Sequence, residues 1–403
     1  MKPLLLTFTN LFPSSVMPTH GIFVYERMRR VAAAMPEFDW QVVAPVPQVP
    51  WFLRNAAYRK WSTVPQQETW GGVVVHHPRF RHWPGLSVRR QADAVRDGAR
   101  QLVRELCAGR SAVLDAHYVW PDGVAAADLA GELGIPFTVT ARGTDVNVIG
   151  VDPVIQRRIA AIAPHAHRLW AVSRALADRF AHVAGLDVAR VDVARNGVDT
   201  VRFRVGDKAN ARMALGLPQG ARLLLGVGRL VPSKGFGAAV DALQRLPSDV
   251  QLVLVGEGPK RSELEARSGG RVRFLGPLPP DKVAEACRAC DVFVLPSERE
   301  GWPNVVTEAL ASGLPVVATR VGGVPEILGD PPPADGSRGA LVPYGDQAAL
   351  VHALEKLLAC RIDPQRIRAH AEQFGWDPPV QQLVATFRAA LQRAGAALPE
   401  AVR

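Results

Sequence analysis

Short runs of leucine and β-branched residues recur along this chain, each followed by a stretch with helical periodicity. In the second half they fall at residues 223–227, 251–255, 272–275, 291–295 and 316–318. A strand that is apolar on both faces must be covered on both faces, which is the situation of a parallel sheet flanked by helices. The first half repeats the alternation, with strands at 4–8, 41–44, 112–116, 137–140 and 169–172 and helices at 23–34, 123–133, 152–163 and 174–184. Two such series imply an α/β chain of two Rossmann-like, doubly wound parallel-sheet domains, with ligands bound between them at the strands' carboxyl ends. At 403 residues and 48% hydrophobic content the chain can fill two cores. The expected boundaries are 1–197 and 198–375, with 376–403 as a closing helical segment.

Two loops of the second half carry opposite charge. Residues 297–308 (SEREGWPNVVTE) place Glu300 and Glu308 eight positions apart around the start of a helix opened by Pro303. The amides of Asn304, Val305 and Val306 would be unpaired there, and free amides and the helix dipole together favour an anion. Residues 228–235 (GRLVPSKG) follow the run at 223–227 and set Arg229 and Lys234 on a tight turn before another helix. An arginine fork and a lysine point charge can neutralise a diphosphate leaving group without a metal. Two solvated surface charges are the alternative reading.

On these motifs the chain resembles the retaining glycosyltransferases of family 4, which have the two-domain GT-B architecture. Further matching segments are ARNGVD at 194–199, VGEGP at 255–259, FLG at 274–276 and GLPVVATRVGGVPEI at 313–327. The resemblance implies that Arg229 and Lys234 bind the donor diphosphate, that Glu300 faces the donor sugar and that Glu308 grips the nucleotide ribose. It also implies that the last helix crosses back to the first domain, and that the product retains its anomeric configuration. Within the family, ARGTDVN, YVWPDG and SEREGWPNV look most like the teichuronic-acid-type transferases of bacterial surface polysaccharide assembly, which implies a lipid-linked glycan acceptor. A soluble acceptor, a GT-B nucleotide-sugar epimerase and a noncatalytic sugar-nucleotide-binding subunit are the competing readings.

The first half supplies the other site residues. His117 ends the strand at 112–116 and matches the second His of the family's H-x-H, beside the donor sugar; Asp115 replaces the first, and a loop-stabilising histidine is the alternative. ARGTD at 141–145 resembles the family's HGTD, with Arg142 in place of His, so Arg142 would contact an anionic acceptor or donor group or else pair with Asp145. Gly21 precedes a helix, where the lack of a side chain permits close approach of the backbone to a phosphate or acceptor. Pro303 stands where many members have Gly, and it offers no N–H to the diphosphate.

No Asp-x-Asp occurs, and Cys287 and Cys290 sit at helical spacing without a second pair, so no metal and no cofactor is expected. No run approaches the length of a membrane span, and MKPLLLTFTN reads as a first strand rather than a signal peptide, so a cytoplasmic location is expected. From Arg27 to Arg110 there are 14 Lys/Arg against 6 Asp/Glu, a surplus of 8 within a chain of net charge +10. Trp51, Phe52, Tyr58, Trp61, Trp70, Phe80 and Trp83 are interleaved with Arg54, Arg59, Lys60, Arg79 and Arg81. That composition suits an anionic membrane surface, with a solvated basic face as the alternative. No nucleic-acid motif accompanies it.

Overall fold

The computed structural model describes residues 1–53, 56–336 and 338–397. The chain divides into two compact units, Met1–Arg195 with Asp377–Arg403, and Asn196–Trp376.

The first unit contains β1 (Leu4–Phe8), β2 (Asp39–Val43), β3 (Val46–Gln48), β4 (Gln67–Trp70), β5 (Val73–His76), β6 (Arg79–Arg81), β7 (Ala112–His117), β8 (Phe137–Ala141), β9 (Arg168–Ala171) and β10 (Val191–Val193). Eight of these form one sheet in the order β10-β9-β8-β7-β1-β2-β5-β4. All its pairs are parallel except β4–β5, an antiparallel hairpin turned at Gly71 and Gly72. β3 and β6 form a separate parallel pair. Strands β3 to β6 were not expected, because they are short and mix polar with apolar residues. Behind β1 the helix Ile22–Ala33 buries Val24, Met28 and Val31. Leu383, Val384, Phe387, Ala390 and Leu391 of the helix Asp377–Ala397 join the same core as Leu5 and Val113. Burying each such side chain contributes roughly 2 kcal/mol.

The second unit contains β11 (Arg222–Val227), β12 (Val250–Val255), β13 (Val272–Gly276), β14 (Val292–Leu295), β15 (Val316–Thr319) and β16 (Gly339–Val342). They form one parallel sheet in the order β13-β12-β11-β14-β15-β16. Leu223, Leu224 and Leu225 of β11 are wholly buried, as a strand covered on both faces requires.

Strand order fixes where ligands can bind. In each sheet the winding reverses at one place, between β1 and β7 in the first unit and between β11 and β14 in the second. The helices after such a pair lie on opposite faces, so the loops diverge and leave a crevice at the strands' carboxyl ends. The loops at these two points carry Gly21 and His117 in the first unit, and Arg229, Lys234 and Glu300 in the second.

Candidate active site

In the second unit the basic loop and the acidic loop meet. Gly235 follows the turn Pro232–Lys234 with φ +68°, and a Cβ there would lie 1.9 Å from the Pro296 carbonyl oxygen, so only glycine lets the loops close. The Glu298 N–H donates to Ser233 O at 2.9 Å. Lys234 Nζ then reaches Glu300 Oε1 at 2.6 Å, where the Ser297 hydroxyl also donates at 2.7 Å. The Glu300 side chain is 8% exposed and that of Lys234 27%, so the pair is fixed yet open on the lysine side. Arg229, on the same loop, is exposed.

The helix Asn304–Ala311 begins directly after Pro303, and no side chain caps it. The Val306 N–H donates to Pro303 O at 2.9 Å, so the expected trio of open amides narrows to Asn304 and Val305. This is a local consequence of Pro303 turning the chain into the first helical residue. Asn304, Val305 and Glu308 are half-buried, whereas Val306, Thr307, Ala309 and Leu310 are buried, so the helix presents the first three on its accessible side. The Asn304 side-chain oxygen accepts from Asn196 Nδ2 at 3.0 Å. Trp302 packs edge-on against Phe374 at 5.6 Å and braces the turn ahead of Pro303.

In the first unit the end of β7 is closed off from solvent. Asp115 and His117 are both fully buried. Arg142 Nη2 donates to His117 Nδ1 at 2.6 Å. Because a guanidinium can only donate, Nδ1 is the acceptor and the ring proton sits on Nε2. Nε2 faces Asp115 Oδ2 at 2.9 Å, an ion-pair distance lying off the hydrogen-bond line. Asp115 is steadied by the Thr138 hydroxyl at 2.7 Å. Burial pushes the His117 pKa down to about 4; Asp115 opposes that shift and the Arg142 charge adds to it. The imidazole is therefore neutral. The ring is sealed from solvent at the end of β7, with the Arg142 guanidinium against its Nδ1. Arg142 is half-buried and stacks over Phe23 at 5.2 Å.

Asp145 accepts the backbone N–H groups of Val119 at 2.7 Å, Gly143 at 2.7 Å and Arg142 at 3.1 Å, closing the two loops upon each other. Gly21 has φ +63°, and a Cβ there would meet the Leu11 carbonyl carbon at 2.2 Å, so the loop doubles back on its own start before the helix. His20 Nε2, at 2.9 Å from Asn10 O, closes the same loop. Tyr118, directly after His117, has φ 88°, a conformation that costs about 1–3 kcal/mol and is characteristic of functional sites.

Sequence reasoning missed Asp122 and Arg27. Asp122 is fully buried beside Thr9 and Asn10. Arg27 is fully buried, donates to Ala194 O at 2.5 Å, and has its pKa pushed down to about 10 by burial, against the pull of Asp115. Arg27 does not belong to a surface cluster, contrary to the charge count that began with it. Its position on the stripe of Val24, Met28 and Val31 was the available signal. Cys287 and Cys290 are buried at the helix Pro280–Ala289. Among the described residues no group of three His, Cys, Asp or Glu side chains is placed to hold a metal.

The basic aromatic segment is partly core and partly surface. Phe80 is buried, while Tyr58, Trp61 and Trp70 are half-buried; Arg54 lies outside the described residues. Trp51 is 80% exposed, Leu86 85%, Phe52 61% and Trp83 45%, and the three aromatic rings pack edge to face. Arg59, Lys60, Arg81, Arg89 and Arg90 are exposed in the same segment. Between positions 40 and 92 the sequence has one acid, Glu68, whose side chain is 11% exposed and bonded to His77. No helix among the described residues is long and apolar enough to cross a membrane.

Residues 26–202 match the family model described as glycosyltransferase family 4, and residues 221–360 match that of glycosyl transferases group 1. The chain is 33% identical over 339 residues to a putative teichuronic acid biosynthesis glycosyltransferase of Bacillus subtilis, covering 81% of this chain and 83% of the relative. It is 30% identical over 374 residues to a D-inositol 3-phosphate glycosyltransferase of Segniliparus rotundus, covering 85% and 80%. In fold it resembles sucrose-phosphate synthase from Thermosynechococcus elongatus, with TM-score 0.75, 20% identity and coverage of 98% and 100%. It also resembles Anabaena HepE in complex with UDP-glucose, with TM-score 0.69, 20% identity and coverage of 96% and 99%. Two parallel-sheet α/β units, a basic loop paired with a buried glutamate at a winding reversal, and relatives that match both halves lead to one conclusion: the chain belongs to glycosyltransferase family 4 and is a glycosyltransferase of the GT-B fold.

Proposed function

We propose that the enzyme transfers a sugar, with retention of configuration and without a metal, from a nucleotide diphosphate sugar to a lipid-linked glycan acceptor of cell-surface polysaccharide assembly. The observation that carries the donor half is the 2.6 Å contact of Lys234 with Glu300, beside the uncapped start of the helix Asn304–Ala311. A diphosphate placed there meets Lys234, Arg229 and the amides of Asn304 and Val305; the family resemblance implies the Gly21 backbone of the first unit as a further donor-binding group. Glu308, one turn into the helix on its accessible side, takes the ribose hydroxyls. Glu300 takes sugar hydroxyls, and Arg142, oriented by His117, takes an anionic group of donor or acceptor.

The reaction breaks the bond between the sugar's anomeric carbon and the diphosphate oxygen, whose electron pair leaves with the diphosphate. The acceptor hydroxyl forms the new bond from the same face, and its proton passes to the departing phosphate oxygen. Charge accumulates on that oxygen, so preorganised cations and amides lower the barrier more than they lower the energy of the bound substrate. The names of the teichuronic acid and inositol 3-phosphate relatives support glycosyl transfer to an acceptor, and the HepE complex supports a sugar nucleotide as donor.

A thermal-shift screen of nucleoside diphosphates tests the donor half. A ligand that binds only the native state at a hundredfold excess over Kd stabilises it by about 2.7 kcal/mol, several degrees in Tm. At least one diphosphate should give that shift in wild type. Glu308→Ala should abolish most of it, and Glu300→Ala should preserve it while reducing turnover. Equal losses in the two variants would refute the division of roles.

The acceptor half rests on the exposed Trp51, Phe52, Trp83 and Leu86, set among cations with no exposed acid. Apolar rings that enter a bilayer's interface, with cations that meet anionic headgroups, describe a peripheral membrane surface. Each cation contributes about 1 kcal/mol there, so replacing Arg59, Lys60 and Arg81 by Gln should weaken cosedimentation with anionic vesicles on the order of a hundredfold. Wild type should also release vesicles as salt rises. Wild type remaining in the supernatant with anionic vesicles at low salt would remove the membrane from the account.

A further inference from the structure

Asp122 has no part in the roles above, yet it is fully buried where three site segments meet. Its Oδ2 accepts the Asn10 N–H at 2.7 Å and lies 3.2 Å from Thr9 Oγ1, while its Oδ1 has no hydrogen-bond partner. Thr9 Oγ1 lies 2.8 Å from the His117 carbonyl oxygen and accepts the Leu11 N–H at 3.0 Å. A hydroxyl has one proton and a carbonyl oxygen can only accept, so the shorter contact takes the Thr9 proton. The contact between Thr9 and Asp122 is then a hydrogen bond only if Asp122 brings the proton. An ionised carboxylate at this place would be buried with a single amide donor, which is costly. A neutral acid instead completes a relay in which the Asn10 amide, Asp122, Thr9 and the His117 carbonyl polarise one another.

We propose that Asp122 is a protonated carboxylic acid at neutral pH and a positioning residue, tying the end of β1 and the loop 10–21 to the end of β7. Its kinetic consequence rests on the donor and acceptor roles proposed above for Gly21 and Arg142. The loop closes on Leu11 beneath Gly21, two residues from Thr9, so an error at the loop's start reaches the glycine. At the other end the relay holds the His117 backbone, and thereby the ring that orients Arg142. The charged group facing Asp122 is Asp145, which opposes its ionisation and, with burial, raises its pKa well above the usual carboxylate range. Tyr118, the other titratable group close by, is held protonated by burial and by the Asp145 carboxylate.

Infrared spectra of the full chain at neutral pH should show the carbonyl band of a protonated carboxylic acid, absent from Asp122→Asn and shifted in Thr9→Val. Both variants should lose about tenfold in kcat/KM, the size of one buried hydrogen bond. Wild type should also lose kcat/KM at alkaline pH through an ionisation that Asp122→Asn lacks. If Asp122→Asn does not fold, the shifted band and the kinetics of Thr9→Val decide the matter. Absence of the acid band from wild type would overturn the protonation. A normal kcat/KM in both variants would overturn the positioning role. Failure of the donor reading is distinguishable, since it would appear as wild type gaining no stability from any nucleoside diphosphate while keeping the band.

Discussion

Replacing Lys234 or Arg229 by alanine is expected to lower kcat/KM at least thirtyfold, or about 2 kcal/mol of transition-state stabilisation. The loss arises because the diphosphate gains charge as the sugar departs, and each cation interacts more strongly with the leaving group than with the intact donor. Folding should change little in Arg229→Ala, because the side chain is exposed. Lys234→Ala also removes the 2.6 Å partner of a Glu300 side chain that is 8% exposed, so a modest loss of stability should accompany it. Lys234→Arg should recover only part of the activity, because a planar fork cannot take the place of a compact ammonium against Glu300 Oε1, which also accepts the Ser297 hydroxyl. Steady-state kinetics decide the matter. Wild-type turnover by both alanine variants would remove the basic loop from the mechanism.

The protein should also lose stability steadily as the pH falls from 7 to 5, and His117 should be a principal cause. The unfolded-state histidine titrates near 6.5, whereas burial takes the folded His117 down to about 4. Over that interval the unfolded chain binds a proton that the folded chain refuses. Stability from this group is therefore full above the unfolded value and falls as the pH drops toward the folded one. Between pH 7 and 5 the loss is about 2 kcal/mol, following from 1.36 kcal/mol per unit of pKa difference. Asp115, whose pKa is lowered in the fold by His117, Thr138 and Arg27 against the effect of burial, adds a further loss at lower pH. Urea unfolding at the two pH values measures the difference. His117→Asn should be less stable at pH 7 but should show a drop smaller by about 2 kcal/mol. An unchanged drop would mean that the ring is already charged in the folded protein.

The meeting of the two charged loops in the second unit was legible because each loop is local in sequence. The eight residues from Gly228 to Gly235 and the twelve from Ser297 to Glu308 each follow an apolar strand run, and strand order alone brings the two loops together. Pro303 explains the one adjustment there, by fixing where the first helical amides begin. The first unit was less legible because its network joins residues far apart in sequence. Thr9 meets Asp122, and Arg27 meets Ala194, through the pairing of β1 with β7 and the packing of a helix against them. No spacing rule encodes such contacts. Asp115 and His117 have the alternation of a strand, but the sequence shows neither that both are sealed in nor that Arg142 caps the imidazole. The short strands β3 to β6 were hidden for a different reason. Each is only three or four residues long, too short to show a period, and the Gly71–Gly72 turn was the main sign of a hairpin.

Calorimetric titration of wild type, Arg229→Ala and Lys234→Ala with a panel of nucleoside diphosphates in the presence of EDTA tests whether the basic loop holds the diphosphate unaided. At least one diphosphate should bind wild type without a divalent cation, and each substitution should weaken that binding at least about tenfold. Binding that appears only when Mg²⁺ or Mn²⁺ is added, or that is equal in all three proteins, would contradict that role of the loop.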